Sequence, residues 1–159
     1  MLKIAFDTNC INALGKDKTL TKIEAFEKEG KVKLLFPSDM VLDLSKAKGP
    51  RGEQQKTKFE QREHVVGWLI VGLSRLPAKL GRDSSYELAK IIFGKEFRSL
   101  DYNSKVDVKM ISSCKSSADY FVTREKRYLR VSGEIAKVIS VSVVSPEEIL
   151  SILEEVKSG

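Results

Sequence analysis

The chain has 159 residues, 42% of them hydrophobic and 31% charged, which excludes disorder as its main state. A chain of this length buries roughly 68–70% of the surface its unfolded form exposes, so a single core forms without disulfides or structural metals, and residues 1–159 are expected to make one domain. Its 28 basic and 22 acidic residues leave a net charge of +6, which favours a polyanionic partner such as nucleic acid.

Leu2 to Phe6 reads as a short buried strand, followed at once by a helix that Thr8 and Asn9 can cap and Gly15 stops. Thr21 and Glu24 have capping-box spacing for a second helix bearing Ile23 and Phe26, with Gly30 ending it before a strand at Val32 to Phe36. Ser38 is expected to begin a helix with Met40, Val41 and Leu44 as its apolar stripe, running out at the loop Gly49-Pro50-Arg51-Gly52. A longer helix is predicted from Gln54 to about Leu73, and Ser84 and Glu87 cap another carrying Leu88, Ile91 and Ile92, with Phe97 beyond. Residues 49–103 thus read as a helical insertion. Ser104 is expected to start a helix with Met110, Ile111 and Cys114 on one face, leading into a strand at Tyr120 to Thr123. Val138 to Val144 is β-prone, and Ser145-Pro146-Glu147-Glu148 opens a terminal helix. This alternation predicts a three-layer α/β/α sandwich with a mostly parallel central sheet.

No apolar run reaches the roughly 20 residues of a membrane span, and Asp7 interrupts the opening run before a signal-peptide core is complete. Cys10 and Cys114 form neither a CxxC motif nor a disulfide framework, so a cytoplasmic setting is expected. His64 is the single histidine, which leaves zinc sites and Ser-His-Asp triads poorly supplied and makes carboxylates the expected agents of any chemistry.

Asp7 follows the first strand, at the sheet edge where open α/β folds bind ligands, although an acid there also suits helix capping. Asp107 has capping-box spacing from Ser104, yet it shares a helix face with Met110, Ile111 and Cys114, where a charge needs a partner. Asp43 lies among Met40, Leu44 and Ala47, and Glu125 follows the strand ending at Thr123 within a charged run that also suits a solvated surface. In a parallel sheet these four positions can converge at the carboxyl edge, where mutual repulsion calls for a cation, and oxygen ligands suit Mg²⁺ or Mn²⁺.

Ile4-Ala5-Phe6-Asp7-Thr8-Asn9 resembles the opening strand and Asp-Thr-Asn signature of PIN-domain ribonucleases, a family that includes the VapC-like toxins. Phe36 to Leu44 is similar to the family's second motif, the stretch from Asp107 to Glu125 to its third acidic helix and Thr-x-Asp strand ending, and Val143 to Glu148 to its last strand and helix start. Asp43 stands where the family usually has Glu, and Glu125 where it usually has Asp, so one carboxylate is a methylene shorter and the other a methylene longer. The resemblance implies metal-dependent cleavage of single-stranded RNA, with Asp7, Asp43, Asp107 and Glu125 as ligands of Mg²⁺ or Mn²⁺. It further implies either the toxin half of a toxin–antitoxin pair, with an antitoxin protein and a second copy of the chain as partners, or an RNA-processing nuclease.

Thr8, Asn9 and Thr123 are candidates to orient water or the carboxylates. Lys46, Lys48, Arg51 and Lys56 around the Gly/Pro loop, with Arg124 and Arg127 after the fourth acid, are candidates for RNA phosphate contacts, because an acidic site alone would repel RNA. Tyr102 and Tyr128 are candidates to stack on bases. The substitutions at Asp43 and Glu125 motivate an alternative, a catalytically weak domain of the same fold that binds RNA or protein. A phospho-accepting receiver domain fits less well, because Thr8 and Asn9, not a second acid, follow Asp7.

Overall fold

The computed structural model describes residues 1–37, 49–60, 63–65 and 84–158. The strands are β1 (Leu2–Phe6), β2 (Val32–Pro37), β3 (Glu63–Val65), β4 (Tyr120–Val122) and β5 (Ser142–Val144). The helices are α1 (Thr8–Ala13), α2 (Lys18–Lys28), α3 (Gly49–Glu60), α4 (Ser85–Phe93), α5 (Tyr102–Ser113), α6 (Lys126–Arg130), α7 (Ser132–Ile139) and α8 (Pro146–Ser158). All strand pairs are parallel, in the order β3-β2-β1-β4-β5. The predicted parallel α/β/α architecture is therefore the observed one.

Ile4, Ala5 and Phe6 are consecutive and all fully buried, so both faces of β1 are covered, as a parallel sheet with helices on both sides requires. The helices fall into two packing groups: α2 lies against α8, while α4 packs on α5 and α7. Order β3-β2-β1-β4-β5 means that the chain leaves β1 toward one edge and later returns to its other side. The carboxyl ends of β1 and β4, neighbours in space, therefore flank the topological switch point, where parallel sheets open a crevice.

Local boundaries depart from the sequence expectations in informative ways. Asp17 caps α2, accepting from the Thr19 and Leu20 N–H groups, so the Thr21/Glu24 box is not used. Gly49-Pro50-Arg51-Gly52 begins α3 instead of forming a loop, with Pro50 in the first turn where its missing N–H costs nothing. The helix predicted from Gln54 to Leu73 gives way to β3, which pairs Leu35 with Glu63 and Phe36 with His64. Phe97 falls in a short 3₁₀ turn beyond α4. Ile135 and Ile139, one helical turn apart and both buried, draw the β-prone segment from Val138 into α7. Ser140 then adopts a left-handed conformation, and the strand starts only at Ser142. The helix expected from Ser38, and Asp43 within it, lie outside the described residues, as do Lys46, Lys48 and most of the segment leading to Leu73.

Among the described residues, no helix is long and apolar enough to cross a membrane. The terminal helix opens at Ser145 as predicted, and it does so through a capping box: Glu148 accepts from the Ser145 N–H (2.7 Å) and hydroxyl (2.8 Å), and the Glu148 N–H donates back to the Ser145 hydroxyl at 3.2 Å. Ser145→Ala should therefore cost about 1 kcal/mol in urea unfolding and Ser145→Asp much less, whereas equal losses would mean that the box does not stabilise α8.

Candidate functional site

Asp7 leaves β1 at the switch point and caps α1 with extended backbone dihedrals. Its side chain is 4% exposed. The Thr123 hydroxyl donates to Asp7 Oδ2 at 2.6 Å, the Asn9 N–H lies 3.4 Å from Oδ1, and the Asp7 N–H donates to the Val122 carbonyl at 3.0 Å. The same Thr123 oxygen accepts from the Glu125 N–H at 3.0 Å, which fixes the turn out of β4. Thr123 is itself fully buried. One hydroxyl thus ties the end of β1 to the end of β4.

Burial pushes the Asp7 carboxyl above its ordinary range, Thr123 and the Asn9 and Thr8 N–H groups oppose the shift, and the Glu125 charge adds to it. Burial also pushes the Cys10 thiol up to about 12, with the Asp7 charge adding to the effect.

Asp107 is not part of a cap. The helix starts two residues earlier than expected, and Asp101 caps it by accepting from the Ser104 N–H (3.0 Å) and hydroxyl (2.7 Å). Asp107 therefore sits in the second turn of α5, half-buried, with its own helix satisfied elsewhere. Its side chain meets the buried Tyr128 hydroxyl, which donates a hydrogen bond to it. Burial foremost, and then the charges of Asp107, Asp7 and Glu125, raise the Tyr128 phenol. Three of the four acids singled out from sequence thus act on one hydroxyl.

Tyr128 was expected to stack on a base. Buried at 4% exposure, it instead faces the acids, whereas Tyr102 is exposed on α5. A tyrosine one helical turn after an acid at a strand end was the available signal, but nothing in the sequence distinguishes it from a surface aromatic.

Other candidates separate from the acids. The Thr8 hydroxyl lies 3.8 Å from the Met110 sulfur, linking α1 to α5, and Asn9 reaches Asp7 through its backbone N–H. Lys56 pairs with Glu53 on α3 at 3.0 Å, and Arg51 lies in α3 with its side chain outside the described residues. Arg127, exposed on α6, places its guanidinium 4.7 Å from the centre of the Phe93 ring. Arg124 is engaged by Asp17 and Glu147. Asp119 serves the fold, accepting from the Lys3 N–H at 2.7 Å beside β1.

The donor chemistry at the switch point suits a hard divalent cation: oxygen donors, one deeply buried, with the Glu125 charge raising the proton affinity of Asp7. Among the described residues, however, no three His, Cys, Asp or Glu side chains stand close enough to hold a metal ion, and Asp43 is not among those residues.

Comparison with family models finds no match, and neither does comparison with curated proteins. Among solved structures, the crystal structure of VapBC2 from Rickettsia felis bound to a DNA fragment from their promoter is similar, with 16% identity, a TM-score of 0.49, and coverage of 91% of this chain and 98% of that one. Similarity at that level assigns neither family nor activity.

Because the folded Asp7 pKa lies above its ordinary 3.8, the folded state holds the proton more tightly than the unfolded state. Stability from this group is greatest below pH 3.8 and is lost as pH rises toward the folded pKa. Asp7→Asn should consequently raise the Tm of the chelator-treated protein at pH 7 by roughly 2–4 °C, the shift of ~1 kcal/mol in a chain of this size, with the gain vanishing in acid. A variant less stable at pH 7 would show that the Asp7 charge is compensated.

Proposed function

We propose that the chain is a divalent-metal-dependent endoribonuclease that cleaves single-stranded RNA at the crevice between β1 and β4. The observation that carries this reading is the buried Asp7 at the switch point, bonded to Thr123 of β4's exit, with Tyr128 hydrogen-bonded to Asp107 and lying within the field of Asp107, Asp7 and Glu125. These acids come from three elements far apart in sequence and stand at the positions where the chain resembles the PIN-type motifs. Asp7 and Asp107 would hold Mg²⁺ or Mn²⁺, with Glu125 contributing more weakly and Asp43 as the fourth candidate. When bound, the cation would activate water for in-line attack at phosphorus and neutralise charge on the phosphate oxygens.

The chain's own groups have separable tasks in this proposal. Thr123 fixes the rotamer of Asp7 through Oδ2, while Oδ1 makes a long contact to the Asn9 N–H. Tyr128, itself buried, donates to Asp107. Arg127, with its guanidinium over the Phe93 ring on exposed α6, would supply positive charge for RNA phosphates, and Lys46, Lys48, Arg51 and Lys56 would extend that rim along the RNA backbone. Asp43 and Glu125, standing where the resembled motifs usually carry Glu and Asp, motivate a second reading, a domain of this fold that binds RNA or protein with weak or no cleavage.

Cleavage of an unstructured RNA in Mn²⁺ separates the two. Asp7→Asn and Asp107→Asn should each lower kcat by about 100-fold or more, since each removes a charged ligand at nearly constant volume, and Glu125→Gln should lose less and recover as metal is raised. Near-wild-type activity in either Asp variant would refute the assignment, and an inactive wild type that still binds RNA would establish the binding-only reading. Neutralising Lys46, Lys48, Arg51 and Lys56 together should also flatten the dependence of RNA affinity on salt, while an unchanged slope would return those residues to solvent.

A further inference from the structure

Arg124 separates Thr123 from Glu125, and its side chain turns away from the acids toward two helix starts. A single nitrogen, Nη2, lies 2.6 Å from Asp17 Oδ2 and 2.9 Å from Glu147 Oε1. Asp17 is already fixed, because its other oxygen accepts the Thr19 and Leu20 N–H groups at the start of α2. Glu147 lies in the first turn of α8, and α8 packs directly on α2. Asp17 and Glu147 therefore belong to one packed helix pair, and Arg124 fastens the exit of β4 to both of its members. A surface ion pair contributes little when it must order two free side chains, but here one partner is anchored by a cap and the cation is shared.

We propose that Asp17, Arg124 and Glu147 form an ionic latch that holds the β4 exit in register with β1, so that Thr123 stays on the Asp7 carboxylate. Arg124 is then a positioning residue, not an RNA contact. The latch stands independently of the nuclease reading, since it concerns which segment holds Thr123 in place whatever the site binds.

Cys10 is a built-in reporter. Fully buried in α1, its thiol faces the carbonyl of Val122, the last residue of β4, at 3.5 Å, and it lies in the field of Arg124, Asp17 and Glu147. Cys114, buried on α5 with its sulfur 3.5 Å from the Met110 carbonyl, reports opening of the fold as a whole. Alkylation of the native, metal-free protein by iodoacetamide, read by peptide mass spectrometry, gives the Cys10 to Cys114 rate ratio.

Arg124→Gln is the decisive variant, because electrostatics and latch opening act in opposite directions. Loss of the positive charge alone raises the thiol pKa and slows Cys10, whereas an opened β4 exit exposes Cys10 and speeds it. The latch predicts a Cys10 to Cys114 ratio raised about fivefold. Arg124→Lys should return the ratio close to wild type, since one nitrogen serves both acids. A ratio unchanged or lowered in Arg124→Gln overturns the proposal, as does Arg124→Lys behaving like Arg124→Gln. For RNA binding, Arg124→Gln should leave the slope of log affinity against log salt unchanged. A slope smaller by about one, with Cys10 still protected, would overturn the latch and assign Arg124 to a phosphate.

Discussion

The arrangement at the switch point turns on one buried carboxylate. Placing the Asp7 side chain at 4% exposure takes a charge out of water, a cost that proteins bear only where hydrogen bonds or a cation compensate it. The bond from Thr123 at 2.6 Å compensates in part, yet burial still dominates the Asp7 proton affinity, and Glu125 adds its repulsion. The result is a preformed acidic position that the fold maintains against its own electrostatics. Such positions are characteristic of sites where stability is given up for chemistry.

Topology makes this economical. With β1 at the centre of the sheet and β4 beside it, a single parallel register, Phe6 opposite Val122, brings Asp7 next to Thr123 although the two are 116 residues apart in the chain. Helix α5, packed alongside α4 and reaching β2, delivers Asp107 from a third direction. Tyr128 closes the arrangement: on the short helix that follows Glu125, its hydroxyl donates to Asp107. The chain's excess of positive charge does not contradict an acidic centre, since Arg127 stays at the surface on Phe93 and Arg124 is engaged by acids outside the centre.

Strand ends were legible in the sequence because period and composition agree there. Ile4-Ala5-Phe6 and Tyr120-Phe121-Val122 are short, apolar and followed by polar residues, so the sequence alone points Asp7, Thr123 and Glu125 to the carboxyl edge. Asp107 was ambiguous for a local reason: Ser104 and Asp107 have capping-box spacing, and only the bonds from Ser104 to Asp101 show that the cap lies one turn earlier. Val138 and Ile139 were misjudged because β-branched residues with helical spacing satisfy both patterns, and burial of Ile135 with Ile139 decides for the helix. The roles of Tyr128 and Arg124 depend on contacts between elements, and no periodicity encodes those. Asp43 remains a proposal from sequence alone, because it lies outside the described residues.

The central claim is that Asp7, Asp107 and Glu125 form one electrostatic unit built to take a divalent cation. Thermal unfolding of wild type and Asp107→Asn, each in EDTA and in excess Mn²⁺, tests it without knowledge of the substrate. A cation that binds only the folded state stabilises it by RT ln(1 + [L]/Kd), about 2.7 kcal/mol at 100 Kd. The account predicts that wild type gains Tm in Mn²⁺, that Asp107→Asn gains much less, and that Asp107→Asn is at least as stable as wild type in EDTA because it relieves the repulsion around Tyr128. Identical responses to Mn²⁺ in the two proteins, or a loss of stability in EDTA with no change in the metal response, would contradict it.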